Sequence, residues 1–232
     1  MDRMNCPSRW IAGLGISCIS LVLIGCQNGS DPVGTQSNVG SPAFLAETIA
    51  TYYDPQQVRY LTRQEHRLDE AGKSLVIRAQ EPDQTIEWSL FGGQFSGPSQ
   101  GNTPAWCDRR IATLVLTAFR AASGLIDDSS LASQDPTKID GQWYLPLILT
   151  DADGIQVRLM KKQSDSRIDR LELIDQVSGE QFVSLAYNPV WIETFGKPVP
   201  TKIDIFRRTG TSDRIVVQFH YRTIRYTPLL AR

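Results

Sequence analysis

The chain has 232 residues, with 24 Lys and Arg against 25 Asp and Glu, two histidines, four cysteines and 41% hydrophobic residues. A near-neutral charge with no long basic run excludes recognition of nucleic acid through its phosphates. Three of the four cysteines, Cys6, Cys18 and Cys26, lie at the extreme N-terminus and only Cys107 lies beyond them, which excludes a disulfide framework.

Residues 1–25 read as a signal peptide. Arg3 and Arg9 precede the 16 residues from Trp10 to Gly25, none of which is charged. The run is shorter than the roughly 20 apolar residues that cross about 30 Å of hydrocarbon. It is interrupted by glycine and no basic stop-transfer cluster follows it. It ends Leu23-Ile24-Gly25-Cys26, which resembles the bacterial lipobox. The resemblance implies that Cys26 is lipidated with palmitate-type chains and becomes the new N-terminus. Stable anchoring takes more than one acyl chain, so Cys26 reads as an anchor and not as a catalyst. An ordinary secretory signal with an incidental Cys26 is the alternative.

Residues 26–42 form the lipidated cysteine and a tether. Gln27 to Pro42, QNGSDPVGTQSNVGSP, has almost no large apolar side chain with which to offset the entropy of ordering. As a flexible coil it spans about 20–24 Å. Residues 43–232, 190 in all, form one domain, long enough to bury roughly 70% of its unfolded surface.

Ser41-Pro42 reads as a helix start, and Phe44, Leu45, Thr48, Ile49 and Tyr52 share one helical face, which predicts a helix over about 42–53. QVRYLTRQEHRL, SLVIRAQ and TIEWSLFGGQF then read as three strands of an antiparallel meander. Pro104 opens a second predicted helix, PAWCDRRIATLVLTAFRAASG. Cys107, Ile111, Leu114, Val115, Ala118, Phe119 and Ala122 lie on one face of it, and Gly124 closes it. After a polar loop, LIDDSSLASQDPTKIDG, six further strands follow: QWYLPLIL, IQVRLMKK, RIDRLELID, QFVSLAYN, TKIDIFRR and RIVVQFHYRTIRY. In the last of these Ile215, Val217, Phe219 and Tyr221 alternate with Val216, Gln218, His220 and Arg222, so one face is apolar and the other polar. The expected class is α+β, with about nine to ten antiparallel strands and two amphipathic helices. A sheet this long curls, and the helices are the elements available to plug its concave side.

Few residues point to chemistry. His66 and His220 each stand alone in a strand among polar neighbours, and read as surface residues, neither catalytic nor metal-binding. Cys107 has Arg109 and Arg110 nearby, which favour a thiolate, but its phase with Ile111 and Leu114 makes it a core residue. Asp151-Ala152-Asp153-Gly154 lacks the remaining ligands of a calcium loop and reads as a hairpin turn. In RIDRLELID, Asp169, Leu171, Leu173 and Asp175 take one face, and Ile168, Arg170, Glu172 and Ile174 the other, as in a salt-laced strand. No nucleophile elbow, phosphate loop or dinucleotide fingerprint is present, so no enzyme activity, cofactor or metal is expected.

Aromatic and aliphatic residues exceed what two helices and a sheet need. Trp88, Phe91, Trp143, Leu145, Leu171, Leu173, Tyr187, Ile203 and Ile205 are the candidate lining of an apolar cleft able to take an acyl chain.

The order of elements, ending GKPVPTKIDIFRRTGTSDRIVVQFHYRTIRY after the hairpins of LPLILTDADGIQVRLMKKQSDSRIDRLELIDQVSGEQFVSLAYN, resembles the carrier and receptor proteins of bacterial outer-membrane lipoprotein localisation. The resemblance covers residues 43–226. It implies a strongly curved, unclosed antiparallel barrel with helices as a lid over a hydrophobic cavity for acyl chains. The receptor in that group is itself a lipoprotein. The expected function is then that of a membrane-anchored cell-envelope lipoprotein, facing the periplasm of a bacterium, that binds a lipid or acyl chain, in lipoprotein sorting or otherwise. Its partners would be the bilayer, lipid or lipoprotein acyl chains and other envelope proteins. Gln27 lacks the acidic inner-membrane retention signal, which favours the outer membrane. The alternatives are a tethered protein-interaction module with a solid core, and, last, a hydrolase using Cys107 with His66 or His220.

Overall fold

The computed structural model describes residues 43–54, 56, 59–69, 73–80, 85–97, 108–150 and 154–227. The expected signal segment 1–25, Cys26, the tether, Cys107 and the first three residues of the DADG turn lie outside the described residues.

In chain order the strands are β1 (Ala43–Tyr53), β2 (Arg59–Asp69), β3 (Ser74–Gln80), β4 (Thr85–Phe91) and β5 (Gln94–Ser96). Helix α1 (Arg109–Ala122) and a 3-10 turn at Asp128–Ser130 come next. Then follow β6 (Ala132–Ser133), β7 (Thr137–Ile139), β8 (Gln142–Thr150), β9 (Ile155–Lys162), β10 (Ile168–Asp175), β11 (Gln181–Ile192), β12 (Lys197–Thr209) and β13 (Ser212–Thr227). They form one 13-stranded sheet in the order β5-β4-β3-β2-β1-β13-β12-β11-β10-β9-β8-β6, with β7 also on β8. The first and last long strands meet at its centre, antiparallel, from Ala43↔Thr227 to Tyr52↔Val217. β5 at one end and β6 at the other do not pair with each other, so the sheet is unclosed.

The antiparallel α+β class agrees with the sequence reading, but there are 13 strands instead of nine to ten, and one α-helix among the described residues instead of two. The four additional strands have identifiable causes. The predicted helix over 42–53 is β1: Phe44, Ala46, Thr48, Ala50 and Tyr52 are all buried, a period of two. The same eleven residues carry a 3.6-residue apolar pattern as well, and the neighbouring strands β2 and β13 decide between them. TIEWSLFGGQF is split at Gly92-Gly93, whose φ of 54° and 85° builds the two-residue hairpin between Phe91 and Gln94. The predicted loop 125–141 contains β6 and β7, both laid on the edge of β8. Pro146 sits in β8 opposite the gap between them, where its carbonyl accepts from the Gln134 amide at 2.9 Å and no ladder donor is required of it.

The expected face of β13 is interrupted by a β-bulge. The register shifts between Ile205 and Phe206, so Val217 pairs with Ile205 while Ile215 pairs with Phe206. Val216 packs on the core in place of Ile215.

Helix α1 begins later than Pro104. Asp108 is its N-cap, accepting from the Arg110 amide at 2.8 Å, and Gly124 at φ 61° follows its C-terminus, with the Leu125 amide donating to the Arg120 carbonyl. It packs against β3 and β4 on one side and β9 to β12 on the other. Strands far apart in the sheet order meet the same helix, so the sheet curls around it.

Candidate functional site

The concave face is built by alternation. One row crosses seven strands through paired residues, Tyr52, Val217, Ile205, Ser184, Leu171, Leu159 and Leu147. Each of these side chains is buried. A second row runs from Trp88 through Ile77 and His66 to Ala46. Helix α1 lies on this surface and buries Ile111, Leu114, Val115, Ala118 and Phe119 against it. The concave side is therefore filled by the helix.

Both ends of the helix are pinned by polar contacts. At the N-terminal end the Arg110 guanidinium pairs with Asp108, Glu180 and, at 3.7 Å, Asp175, and stands 5.0 Å from the Phe182 ring. The hydrogen bond to Asp108 above all holds its pKa above the usual arginine value. At the other end Ser123 Oγ donates to the Pro198 carbonyl at 2.9 Å.

Beneath the apolar layer, β1, β2 and β13 place a chain of polar groups that sequence reading missed. The Gln64 amide donates to Tyr52 Oη at 2.8 Å and to Thr62 Oγ1 at 2.9 Å. This leaves Gln64 Oε1 to accept from His66 Nε2 at 2.9 Å, so His66 Nδ1 accepts from Tyr221 Oη at 3.1 Å. His66 is completely buried, between the rings of Phe219 and Tyr221 at 5.2 and 5.5 Å. Burial lowers its pKa to about 3 and pushes that of Tyr221 well above its ordinary value, so the imidazole is neutral. The expectation of a surface His66 is thus corrected, while His220 is exposed as expected. The available signal was phase: Leu68 is the buried anchor of β2, and Thr62, Gln64 and His66 share its parity, whereas Leu61 faces out.

Of the nine candidate lining residues, Trp88, Leu171, Leu173, Ile203 and Ile205 belong to one buried cluster with α1, and Leu145 packs at its edge. Three lie elsewhere. Phe91 is 65% exposed at the end of β4, and Trp143 is 48% exposed with Lys138 Nζ 5.9 Å from its ring. Tyr187 alternates away from Ala186, which packs on the core, and lies under Lys202 Nζ at 5.0 Å. In β10, Leu171 and Leu173 face the core and Arg170 pairs with Glu172 on the other side, as the strand pattern predicts.

The hairpin between β11 and β12 folds over one end of the concave face. Its Phe195 meets Phe44 at 4.0 Å and Tyr226 at 5.3 Å between ring centroids. The same hairpin exposes Val190 and Trp191 to solvent. Phe44 lies at the start of β1, so this hairpin packs against the beginning of that strand.

No family model matches the chain, and no curated protein matches it in sequence. Solved structures do match. A LolA superfamily protein from Nitrosomonas europaea superposes with a TM-score of 0.52 at 19% identity, over 80% of this chain and 86% of that one. An outer membrane lipoprotein-sorting protein domain from Vibrio parahaemolyticus does so with a TM-score of 0.50 at 11% identity, over 82% of this chain and 87% of that one. Likeness at this level of identity is a likeness of fold, and the fold is that of the LolA-like half-barrel expected from the order of the strands.

Proposed function

We propose that the protein is a membrane-anchored lipoprotein of the bacterial cell envelope that binds a lipid or acyl chain, without chemical turnover, between helix α1 and the concave face of its half-barrel. The observation that carries this reading is the concave face itself, an apolar surface spanning most of an unclosed sheet and covered by one helix. Residues 1–25 serve as the signal peptide, acylated Cys26 is the anchor, and 27–42 are the tether to the domain at 43–232. The outer membrane is the favoured site. Trp88, Leu171, Leu173, Ile203 and Ile205 supply the apolar wall. Leu145 packs at the edge of that wall.

Because α1 occupies the concave side, entry of a chain requires the helix to shift. Its polar pins at Arg110 and Ser123 are the contacts that hold it shut. Delipidated protein should take up a fluorescent fatty acid saturably at micromolar concentration, and Arg110→Ala should take it up faster. Absence of uptake by both removes the binding claim.

A second reading, a tethered interaction module with a solid core, is favoured by the same close packing of α1, whose Leu114 and Val115 are fully buried. Failure of uptake together with capture of another envelope protein through the exposed face would support it.

A further inference from the structure

We propose that the outer face of β8 to β12 carries an oxyanion-binding pocket, suited to a phosphate group and separate from the concave face. Arg158 lies between Val157 and Leu159, and Glu172 between Leu171 and Leu173, so alternation turns both away from α1. Cross-strand register sets Glu172 opposite Arg158, and Arg170 opposite Met160. Arg208 joins them from β12, and an open pocket of about 310 Å³ lies among the three guanidiniums. Its remaining walls include Ile139, Pro146 and Met160.

The charges in this pocket do not balance. Arg170 donates to Glu172 Oε1 from Nε at 3.2 Å and from Nη2 at 3.1 Å, and Arg208 reaches the same oxygen at 3.8 Å. Arg208 is further held by Asp213 at 3.1 Å. Glu172 and Asp213 thus serve Arg170 and Arg208, and Arg158 has no carboxylate within ion-pair distance among the described residues. Its Nε is buried and has no acceptor among the described residues. Arg158 is half-buried beside the Arg170 and Glu172 side chains, which are only 13% and 14% exposed.

A buried donor on a charged group without an acceptor is costly, and a bound anion relieves it. Guanidiniums match the planar or tetrahedral edge of an oxyanion with paired donors. The pocket is larger than one phosphate, and its Ile139, Pro146 and Met160 wall suits an apolar group attached to that phosphate. The shared chemistry is a phosphate oxyanion, free or at the head of a lipid.

The test is calorimetric titration of the full-length chain in nonionic detergent, at constant ionic strength, with inorganic phosphate and separately with dihexanoyl phosphatidic acid. Saturable binding of either supports the site, and tighter binding of the lipid identifies a headgroup. Arg158→Gln should weaken binding on the order of tenfold or more, Arg158→Lys less, and Arg167→Gln, at an exposed turn residue, should leave it unchanged. In anion-free buffer Arg158→Gln should also unfold at an equal or higher temperature than wild type, which keeps the test informative if that variant binds nothing. No saturable binding to wild type, or equal weakening by Arg167→Gln, overturns the proposal. Because the fatty-acid probe addresses the opposite face of the sheet, either result can fail without the other.

Discussion

His66 makes the stability of the domain depend on pH in a way that His66→Gln should remove. In the fold the imidazole stays neutral down to a pH of about 3, because burial withdraws the hydration that an imidazolium needs, whereas its ordinary value is 6.5. Above about pH 6.5 both states are neutral and the group contributes no slope. Between the two values the unfolded chain holds the extra proton, so stability falls as pH falls, by about 1.4 kcal/mol per pH unit. From about pH 6.5 to 5 the loss is about 2 kcal/mol, or roughly 4–8 °C in Tm for a domain of about 190 residues. Glutamine retains a donor and an acceptor in the Tyr221–Gln64 chain but does not titrate. Urea unfolding of both proteins across this pH range isolates the effect, since every other titrating group is common to them. His66→Gln should start less stable through lost ring contacts with Phe219 and Tyr221, and its curve should then converge on that of wild type as the pH falls. Parallel curves would refute a neutral, buried His66.

Leu173→Ala, at a side chain with no exposure in the centre of the concave face, should cost about 2–5 kcal/mol in chemical denaturation. Ser184→Ala should be neutral or stabilising by about 1 kcal/mol in the same assay, because Ser184 Oγ is buried with no hydrogen-bond partner among the described residues. Cys26→Ser should move the protein from the membrane fraction of the producing bacterium to its soluble periplasm or leave it as the unprocessed precursor. This is read by fractionation and by the mass of the mature chain.

Much of the fold was legible where local pattern and tertiary context agree. Helix α1 carries apolar residues at Ile111, Leu114, Val115 and Ala118 and a glycine in the left-handed region at 124, and no strand pattern competes there. β10 was legible for the same reason, its leucines and charges alternating without exception from Arg170 to Leu173. β1 was not, because Phe44, Thr48 and Tyr52 satisfy a helical and an alternating period at once, and only pairing with Thr227 to Val217 and with Asp69 to Arg59 selects the strand. β2 misled in another way: its inward side chains are polar, so hydrophobicity gave the wrong face for His66, although Leu68 fixed the parity. The bulge that exchanges Ile215 for Val216 leaves no mark in composition. The anion pocket depends on register between β9, β10 and β12, a long-range property that no single stretch of sequence displays.

The two halves of the concave face differ in character, and this bears on how a ligand would lie under the proposed function. On β9, β10 and β12 the inward residues Val157, Leu159, Leu171, Leu173, Ile203 and Ile205 are aliphatic, and they offer dispersion contacts without direction. Across β1, β2 and β13 the inward Tyr52, Thr62, Gln64, His66 and Tyr221 offer hydrogen-bonding groups that already satisfy one another, and the inward Thr48 donates to the His220 carbonyl. An acyl chain gains most by lying along β9 to β12. A polar linkage such as an ester or amide is tolerated toward β1 and β2, where a carbonyl can replace one member of an existing hydrogen-bonded chain instead of burying an unpaired group. A pure hydrocarbon lacks that exchange, so under the proposed function a ligand would be selected by its polar end more than by the length of its tail.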